Sequence, residues 1–187
     1  MPLAFLNWLK KVELKKASVW KTLGIYNLIQ ISSTGLNYDE NLMLVAMHFW
    51  ESSTNTMQLK CGPLLFSIGL PPIGEFYDLD RVIKIHLKLD IVAYGAFINK
   101  YFDKSTTEVS DEEHFAFLAF WLSHYVFCSR SLQIAKQYVT QATQFHEGHS
   151  FSLGRLLLGT LYKSIGVGCE TLKGLTEGKT LNLVVPW

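Results

Sequence analysis

The sequence has few cysteines, few charged residues and no apolar run long enough to span a bilayer. Cys61, Cys128 and Cys169 are far apart and form no CxxC pattern, so neither a disulfide framework nor a zinc ribbon is expected. Charged residues are 18% of the chain, with 17 Lys and Arg against 16 Asp and Glu. Because positive and negative charges nearly balance, the protein has no overall electrostatic potential that would attract it to nucleic acid or membranes.

The longest apolar run, 115–127, is shorter than the roughly 20 residues a membrane helix needs, and no secretory cleavage site follows the apolar start. We therefore expect a soluble intracellular protein.

Apolar and aromatic residues are plentiful. Hydrophobic side chains make up 49% of the 187 residues and aromatic ones 13%, which is the opposite of a disordered composition. A chain of this length can bury one sizeable core. We predict a mainly α, helix-rich protein that forms a single globular domain over 1–187.

The spacing of apolar residues gives the helices. In the first, Leu3, Leu6, Leu9 and Val12 lie on one side, and lysines gather on the other as a solvated basic face. Ser18 can cap the second helix, and an apolar helix ends at Trp50. Helices are predicted over 3–15, 18–31, 42–50, 80–102, 132–145 and 151–172.

A β-hairpin is predicted near 57–68. Residues 57–60 alternate apolar and polar, the Cys-Gly-Pro sequence at 61–63 is typical of a turn, and 64–68 is apolar again.

Ser110 begins a capping box that starts the most apolar helix. Its hydroxyl is placed to accept from the Glu113 amide, while the Glu113 side chain is expected to reach back to the cap. The segment that follows, 114–127, is apolar on all sides, which predicts a central buried helix.

Residues able to carry chemistry do not form a known catalytic pattern. His146 and His149 lack the i, i+4 spacing of a zinc helix and flank Gly148, which favours a helix C-terminus with a left-handed glycine over a metal site. His124 and Cys128 share an apolar helix, where packing is the favoured interpretation. The sequence contains no GxSxG, GxGxxG or GxxxxGK motif. We predict no catalytic, cofactor-binding or metal residue and no cofactor.

The lysines at 10, 11, 15, 16 and 21, with Trp8 and Trp20 among them, raise one alternative. Such a surface is able to contact phosphates and bases. A solvated helix face is favoured, because scattered lysines on a protein of near-zero net charge produce little salt-dependent binding.

Three stretches carry a family resemblance. The first is Trp20 followed by Leu-Gly-Ile-Tyr at 23–26. The second is His-Phe-Trp at 48–50, then Ser-Thr-Asn-Thr at 53–56, Cys-Gly-Pro at 61–63 and Gly-Leu-Pro at 69–71. The third is the block 116–162, with Trp-Leu at 121–122, His-Glu-Gly at 146–148 and Leu-Tyr at 161–162. In order and spacing they resemble the plant mobile domain, a family also labelled aminotransferase-like.

The resemblance has consequences for individual residues, all of them expected to be structural. Between Thr56 and Gly69 the chain is shorter than the family pattern, and the family continues beyond Trp187. We therefore expect a copy of the domain that is incomplete at its C-terminus. The signature residues are Trp20, Gly24, Trp50, Thr54, Asn55, Thr56, Gly62, Gly69, Leu70, Pro71, Trp121, Gly148 and Tyr162.

The resemblance implies a non-catalytic protein-interaction module. Its relatives are transposon-derived proteins or nuclear proteins similar to those that maintain meristems, preserve genome stability and silence transposable elements. The implied partners are phosphatase-like nuclear plant proteins, and the implied location is the nucleus. The label aminotransferase-like would require a Schiff-base lysine, a phosphate cradle and an acidic partner for the cofactor ring, a set that we do not find. The alternatives are a nucleic-acid-binding fragment of a mobile element and a transposon relic without function.

Overall fold

A computed structural model of the chain describes residues 3–34, 50–51, 56–57, 74, 87, 93–127, 134 and 136–175. The chain forms two compact units. Unit 1 comprises residues 1–35 and 73–152, and unit 2 comprises residues 36–72 and 153–187. The expectation of a single domain over 1–187 stays a prediction.

The described part of the chain is mainly helical, which confirms the predicted class. In unit 1, α1 spans Leu3–Thr22, α2 Tyr26–Ile31, α3 Tyr94–Tyr101, α4 Asp111–Trp121 and α5 Lys136–His146. A π-helical turn at Leu122–Val126 continues α4. In unit 2, β1 spans Trp50–Glu51, β2 Thr56–Met57 and α6 Leu153–Leu175.

The start of the chain departs from prediction because Ser18 does not cap a helix. Helix α1 continues through it to Thr22, since Val12 and Trp20 lie on the same side of one helix and both are fully buried. The break comes at Gly24, whose φ of 71° lies in the left-handed region. The Ile25 amide then bonds back to the Trp20 carbonyl at 3.0 Å before α2 begins.

The predicted hairpin near 57–68 is not supported. Among the described residues, the strand pairing is antiparallel and joins Trp50 to Met57 and Glu51 to Thr56. The predicted helix end at Trp50 is therefore also wrong. The turn-forming Ser-Ser-Thr-Asn sequence at 52–55 separates the two strands, so the paired residues flank this sequence rather than the later Cys-Gly-Pro. In unit 2, α6 packs on β1. Residues 58–68 lie outside the described residues.

The predicted helix over 80–102 is shorter where it can be seen. Leu87 is not helical, and Ala93 has extended backbone angles of −126° and 137°. Helix α3 begins one residue later, at Tyr94, so Gly95 falls in its first turn.

Helix α4 is the centre of unit 1, as predicted, and packs against α1, α3 and α5. Phe117 illustrates its surroundings. Its ring is fully buried and contacts Trp8 edge-on at 5.4 Å, Trp20 in a stacked arrangement at 5.3 Å and Phe5 at 6.0 Å. Aromatic contacts of these geometries add about 0.5–1.5 kcal/mol each beyond the area they bury. Every side chain from Glu113 to Ser123 is buried.

The end of α5 confirms the predicted glycine stop. Gly148 has a φ of 87°, and two amides close the helix: that of Gly148 bonds to the Phe145 carbonyl at 3.1 Å, and that of His149 bonds to the Gln144 carbonyl at 2.8 Å. This is the paired hydrogen-bond pattern of a left-handed C-terminal cap.

Replacing this glycine gives a test of the cap. We expect Gly148→Ala to lower the free energy of unfolding by about 1–2 kcal/mol, because a Cβ is strained at this φ although nothing lies within 4 Å of it. The matched control is Gly95→Ala, also in open space but inside α3, which should stabilise by about 0.5–1 kcal/mol. Urea unfolding followed by circular dichroism measures both. Equal effects of the two substitutions would contradict this account of the cap.

Candidate functional site

Two adjacent ionisable side chains lie buried in the first turn of α4. Glu113 is 3% exposed and His114 is 1% exposed. A charge or an imidazole in such a place is costly unless hydrogen bonds satisfy it. Their partners define a polar cluster of Trp8, Lys11, Trp20, Glu113, His114 and His146.

The backbone of Glu113 is capped as predicted, but its side chain is not. The Ser110 hydroxyl accepts from the Glu113 amide at 3.1 Å. Instead of reaching back to the cap, the carboxylate points toward α1, where Oε1 accepts from Trp8 Nε1 at 3.2 Å and Oε2 lies 2.7 Å from Lys11 Nζ. The predicted hydrogen bond from the Glu113 side chain back to the cap is therefore wrong. A buried carboxylate gains more from a charge-assisted bond to lysine than from a single amide.

Lys11 joins three parts of unit 1. Its side chain is only 10% exposed, and besides Glu113 it donates to the Asp103 carbonyl at 2.7 Å. Its ammonium also lies 5.9 Å from the centre of the Phe102 ring. Lys11 therefore fastens the segment before α4, as well as α4 itself, to α1.

The predicted solvated basic face of α1 is consequently reduced. Lys15 pairs with Glu108 at 2.8 Å, and Lys16 lies 3.9 Å from Asp111. These two pairs are more exposed than that of Lys11 and contribute little to stability. They do place a carboxylate beside two of the five lysines that are candidates for phosphate contacts.

His114 lies in a chain of ring nitrogens that runs across three helices. Trp20 Nε1 on α1 donates to His114 Nε2 at 3.1 Å. His114 Nδ1 lies 3.1 Å from His146 Nδ1 on α5. Burial, the neighbouring His146 and Lys16 lower the pKa of His114 to about 3. Burial is also the main cause that lowers the pKa of His146, so both rings are neutral near pH 7.

Trp20 determines which ring nitrogens of His114 and His146 carry a proton. An indole N–H can only donate, so His114 Nε2 must accept and the proton of neutral His114 is on Nδ1. That N–H then donates to His146 Nδ1, which leaves the proton of His146 on Nε2.

The same constraint argues against a metal between the two histidines. A histidine that binds a metal through one nitrogen donates a proton from the other, yet the other nitrogen of His114 already accepts from Trp20. In the described ranges, no three His, Cys, Asp or Glu side chains come together as metal ligands. The cluster holds helices together, because Glu113 and both ring nitrogens of His114 are hydrogen-bonded to side chains of other helices.

The signature residues fall into five groups. Trp20 belongs to the polar cluster, and Trp121 donates from Nε1 to the Ser32 hydroxyl at 2.9 Å, which ties α4 to the end of α2. Gly24 and Gly148 end helices with positive φ. Tyr162 lies half-buried on α6. Trp50 and Thr56 lie in the strands, while Thr54, Asn55, Gly62, Gly69, Leu70 and Pro71 lie outside the described residues.

The burial of Lys11 against Glu113 and the pairing of His114 with His146 are not among the features predicted from sequence. A signal existed for the first, because Lys11 follows Trp8 by one helical turn and so shares its buried side. The 32-residue separation of the two histidines carries no local signal.

The chain was compared with family models, curated proteins and solved structures. A family model described as plant mobile domain matches residues 80–187, which is more than half of the chain. No curated protein and no solved structure matches.

The helices that the structure describes include none that is both long and apolar enough to cross a membrane.

The buried ion pair gives a prediction about stability. Lys11→Met leaves the Glu113 carboxylate buried without its counter-charge, so we expect a loss of about 3 kcal/mol in the free energy of unfolding. The double variant with Glu113→Gln should recover at least half of this loss, since it removes the orphaned charge. Chemical denaturation of the wild type, both single variants and the double variant gives the coupling free energy.

Lys15→Met is the control, because its pair with Glu108 is exposed. It should leave unfolding unchanged within error. If Lys11→Met behaved like Lys15→Met, the Glu113 pair would not hold α1 to α4.

Proposed function

This chain belongs to the plant mobile domain family, and we propose that it acts as a non-catalytic protein-interaction module. Within this proposal it is transposon-derived or related to nuclear proteins that maintain meristems, preserve genome stability and silence transposable elements. Its partners would be phosphatase-like nuclear plant proteins.

One observation carries the non-catalytic part of the proposal. In the described part of unit 1, the ionisable side chains of Glu113 and His114 are at most 3% exposed and are hydrogen-bonded to Lys11, two tryptophans and His146. A general acid or base has to reach a substrate proton directly or through one water. Groups enclosed by their own partners are suited to holding helices instead.

The same contacts weaken the nucleic-acid alternative. Lys11, Lys15 and Lys16 each lie within 4.0 Å of a carboxylate of the segment 108–113. Phosphate binding would have to compete with these pairs. Lys10 and Lys21 are exposed on α1 and belong to none of these pairs. They form only a small basic surface.

An outer stripe of α1 is where we place the contact with a partner. Leu3 is 71% exposed and Leu14 is 85% exposed. With Lys10 and Lys21, which are also exposed, they recur at spacings of 7, 4 and 7 residues, which puts all four on one line along the helix. An amphipathic acidic segment offers the complementary apolar and charged groups.

Affinity purification of the tagged full chain from plant nuclei, with quantitative mass spectrometry, tests the proposal. We expect phosphatase-like or silencing proteins among the retained proteins. Leu14→Glu should reduce their recovery at least fivefold while the circular dichroism spectrum stays unchanged, because the charge would sit at the centre of the stripe.

The matched control is Val167→Glu, a similar change at a residue of α6 that is 60% exposed, and it should leave recovery unchanged. Recovery of chaperones alone, or equal recovery with Leu14→Glu, would contradict the proposed module. Steeply salt-dependent retention of DNA or RNA in a filter-binding series would favour the mobile-element fragment instead.

A further inference from the structure

We propose that Trp20, His114 and His146 form an acid-responsive latch, in which proton uptake by His146 breaks its bond to His114 and releases the C-terminal end of α5. The latch is independent of the partner proposed above. It follows from the order of donors and acceptors in the chain of ring nitrogens.

The first step is that neutral His146 has only one site for a second proton. Its Nε2 already carries a proton, because its Nδ1 accepts from His114 Nδ1–H at 3.1 Å. The incoming proton must therefore go to Nδ1. Two N–H groups would then face each other across a hydrogen-bond distance, which is repulsive.

The second step is that His114 cannot change from a hydrogen-bond donor to an acceptor toward His146. To accept from a protonated His146, it would have to move its own proton from Nδ1 to Nε2. Trp20 Nε1–H occupies that side at 3.1 Å, and the indole cannot become an acceptor. His114 itself resists a second proton because burial and its neighbours hold its pKa at about 3. Proton uptake by His146 is thus coupled to separation of the two rings.

Charged groups around His146 bias the direction of that separation. Lys16 on α1 opposes a positive charge on either ring, while Asp111 on α4 and Glu147 just after α5 favour one on His146. His146 is half-buried, whereas His114 is 1% exposed. The cation would therefore be stabilised away from His114 and toward the carboxylates and water.

The segment that would loosen is defined by three hydrogen bonds. The amides of Glu147, Gly148 and His149 bond to the carbonyls of Thr143, Phe145 and Gln144 at 2.9, 3.1 and 2.8 Å. These bonds close α5 directly beside His146. They provide a local readout of opening through amide hydrogen exchange.

The sign of the pH effect follows from linkage. The pKa of His146 is lowered in the fold from its ordinary value of 6.5, so the closed state binds fewer protons than the open one. Closure is fully present above pH 6.5 and is lost as the pH falls below that value. With at most one proton taken up per opening, the opening constant rises as the pH falls below 6.5, by no more than about tenfold per pH unit.

Hydrogen exchange of the full chain between pH 5.0 and 7.5, corrected for intrinsic exchange rates, measures this slope. In the wild type, we expect protection of amides 147–149 to fall progressively below pH 6.5, by up to about tenfold per pH unit. His146→Phe keeps an aromatic ring against Phe115 but cannot titrate, so its slope should vanish.

Trp20→Phe distinguishes a latch from a merely structural contact. Without the indole donor, His114 can carry its proton on Nε2 and accept from protonated His146, so the pair stays closed on acidification. Protection is then lower overall, because a buried hydrogen bond is missing, but its pH slope is reduced at least threefold. A Trp20→Phe slope equal to that of the wild type would overturn the proposal.

His124→Phe is the matched control. His124 is also a half-buried histidine, its pKa is lowered by burial, and its ring contacts Tyr94 at 4.6 Å rather than the latch. Its substitution should leave the wild-type slope at 147–149 intact. Loss of the slope in this variant, or absence of a slope in the wild type, would also overturn the latch.

Discussion

Glu113 is buried at the start of α4, and its negative charge has to be compensated inside unit 1 because water does not reach it. Lys11 and Trp8 supply that compensation from α1, 102 and 105 residues away in sequence. Since Lys11 also bonds to the backbone of Asp103, one buried carboxylate fixes α1, the segment before α4 and α4 itself. The same two helices also meet through Phe117, which Trp8 contacts edge-on and Trp20 contacts in a stacked arrangement. A buried pair of this kind contributes less to net stability than apolar packing does, but breaking it is costly, so it favours one arrangement of the helices over others.

The neighbouring residue extends the same principle to the other side of α4. His114 takes a hydrogen bond from Trp20 on α1 and gives one to His146 on α5. Glu113 connects α4 to α1, and His114 connects α4 to both α1 and α5. Two consecutive residues of one helical turn therefore join three helices. The side chains of Glu113 and His114 are thus directed inward, whereas Asp111 and Glu112 of the same turn are exposed.

Local signals in the sequence predicted the features that depend on local physics. The Ser110 cap, the buried helix after it and the glycine stop at Gly148 each follow from a few adjacent residues. The failures at Ser18 and Glu113 have long-range causes. Ser18 does not start a helix, because burial of Trp20 extends α1 through it. The Glu113 side chain does not bond back to its cap, because it pairs with a lysine in another helix. The hairpin prediction placed the paired strands after the Ser-Ser-Thr-Asn sequence, although they flank it. The contact of His114 with His146 could not be predicted at all, because it depends on how α4 and α5 pack.

The position of the proton on the His114 ring can be observed directly, and it tests the proposed order of donors and acceptors from Trp20 to His146. Nitrogen-15 NMR of the full chain at pH 7, with histidine and tryptophan labelled, resolves the two neutral tautomers of each ring. The account requires His114 to carry its proton on Nδ1 and His146 on Nε2, with the Trp20 indole proton slow to exchange. A proton on Nε2 of His114, or a charged His114 at this pH, would contradict both the chain of hydrogen bonds and the roles assigned to it.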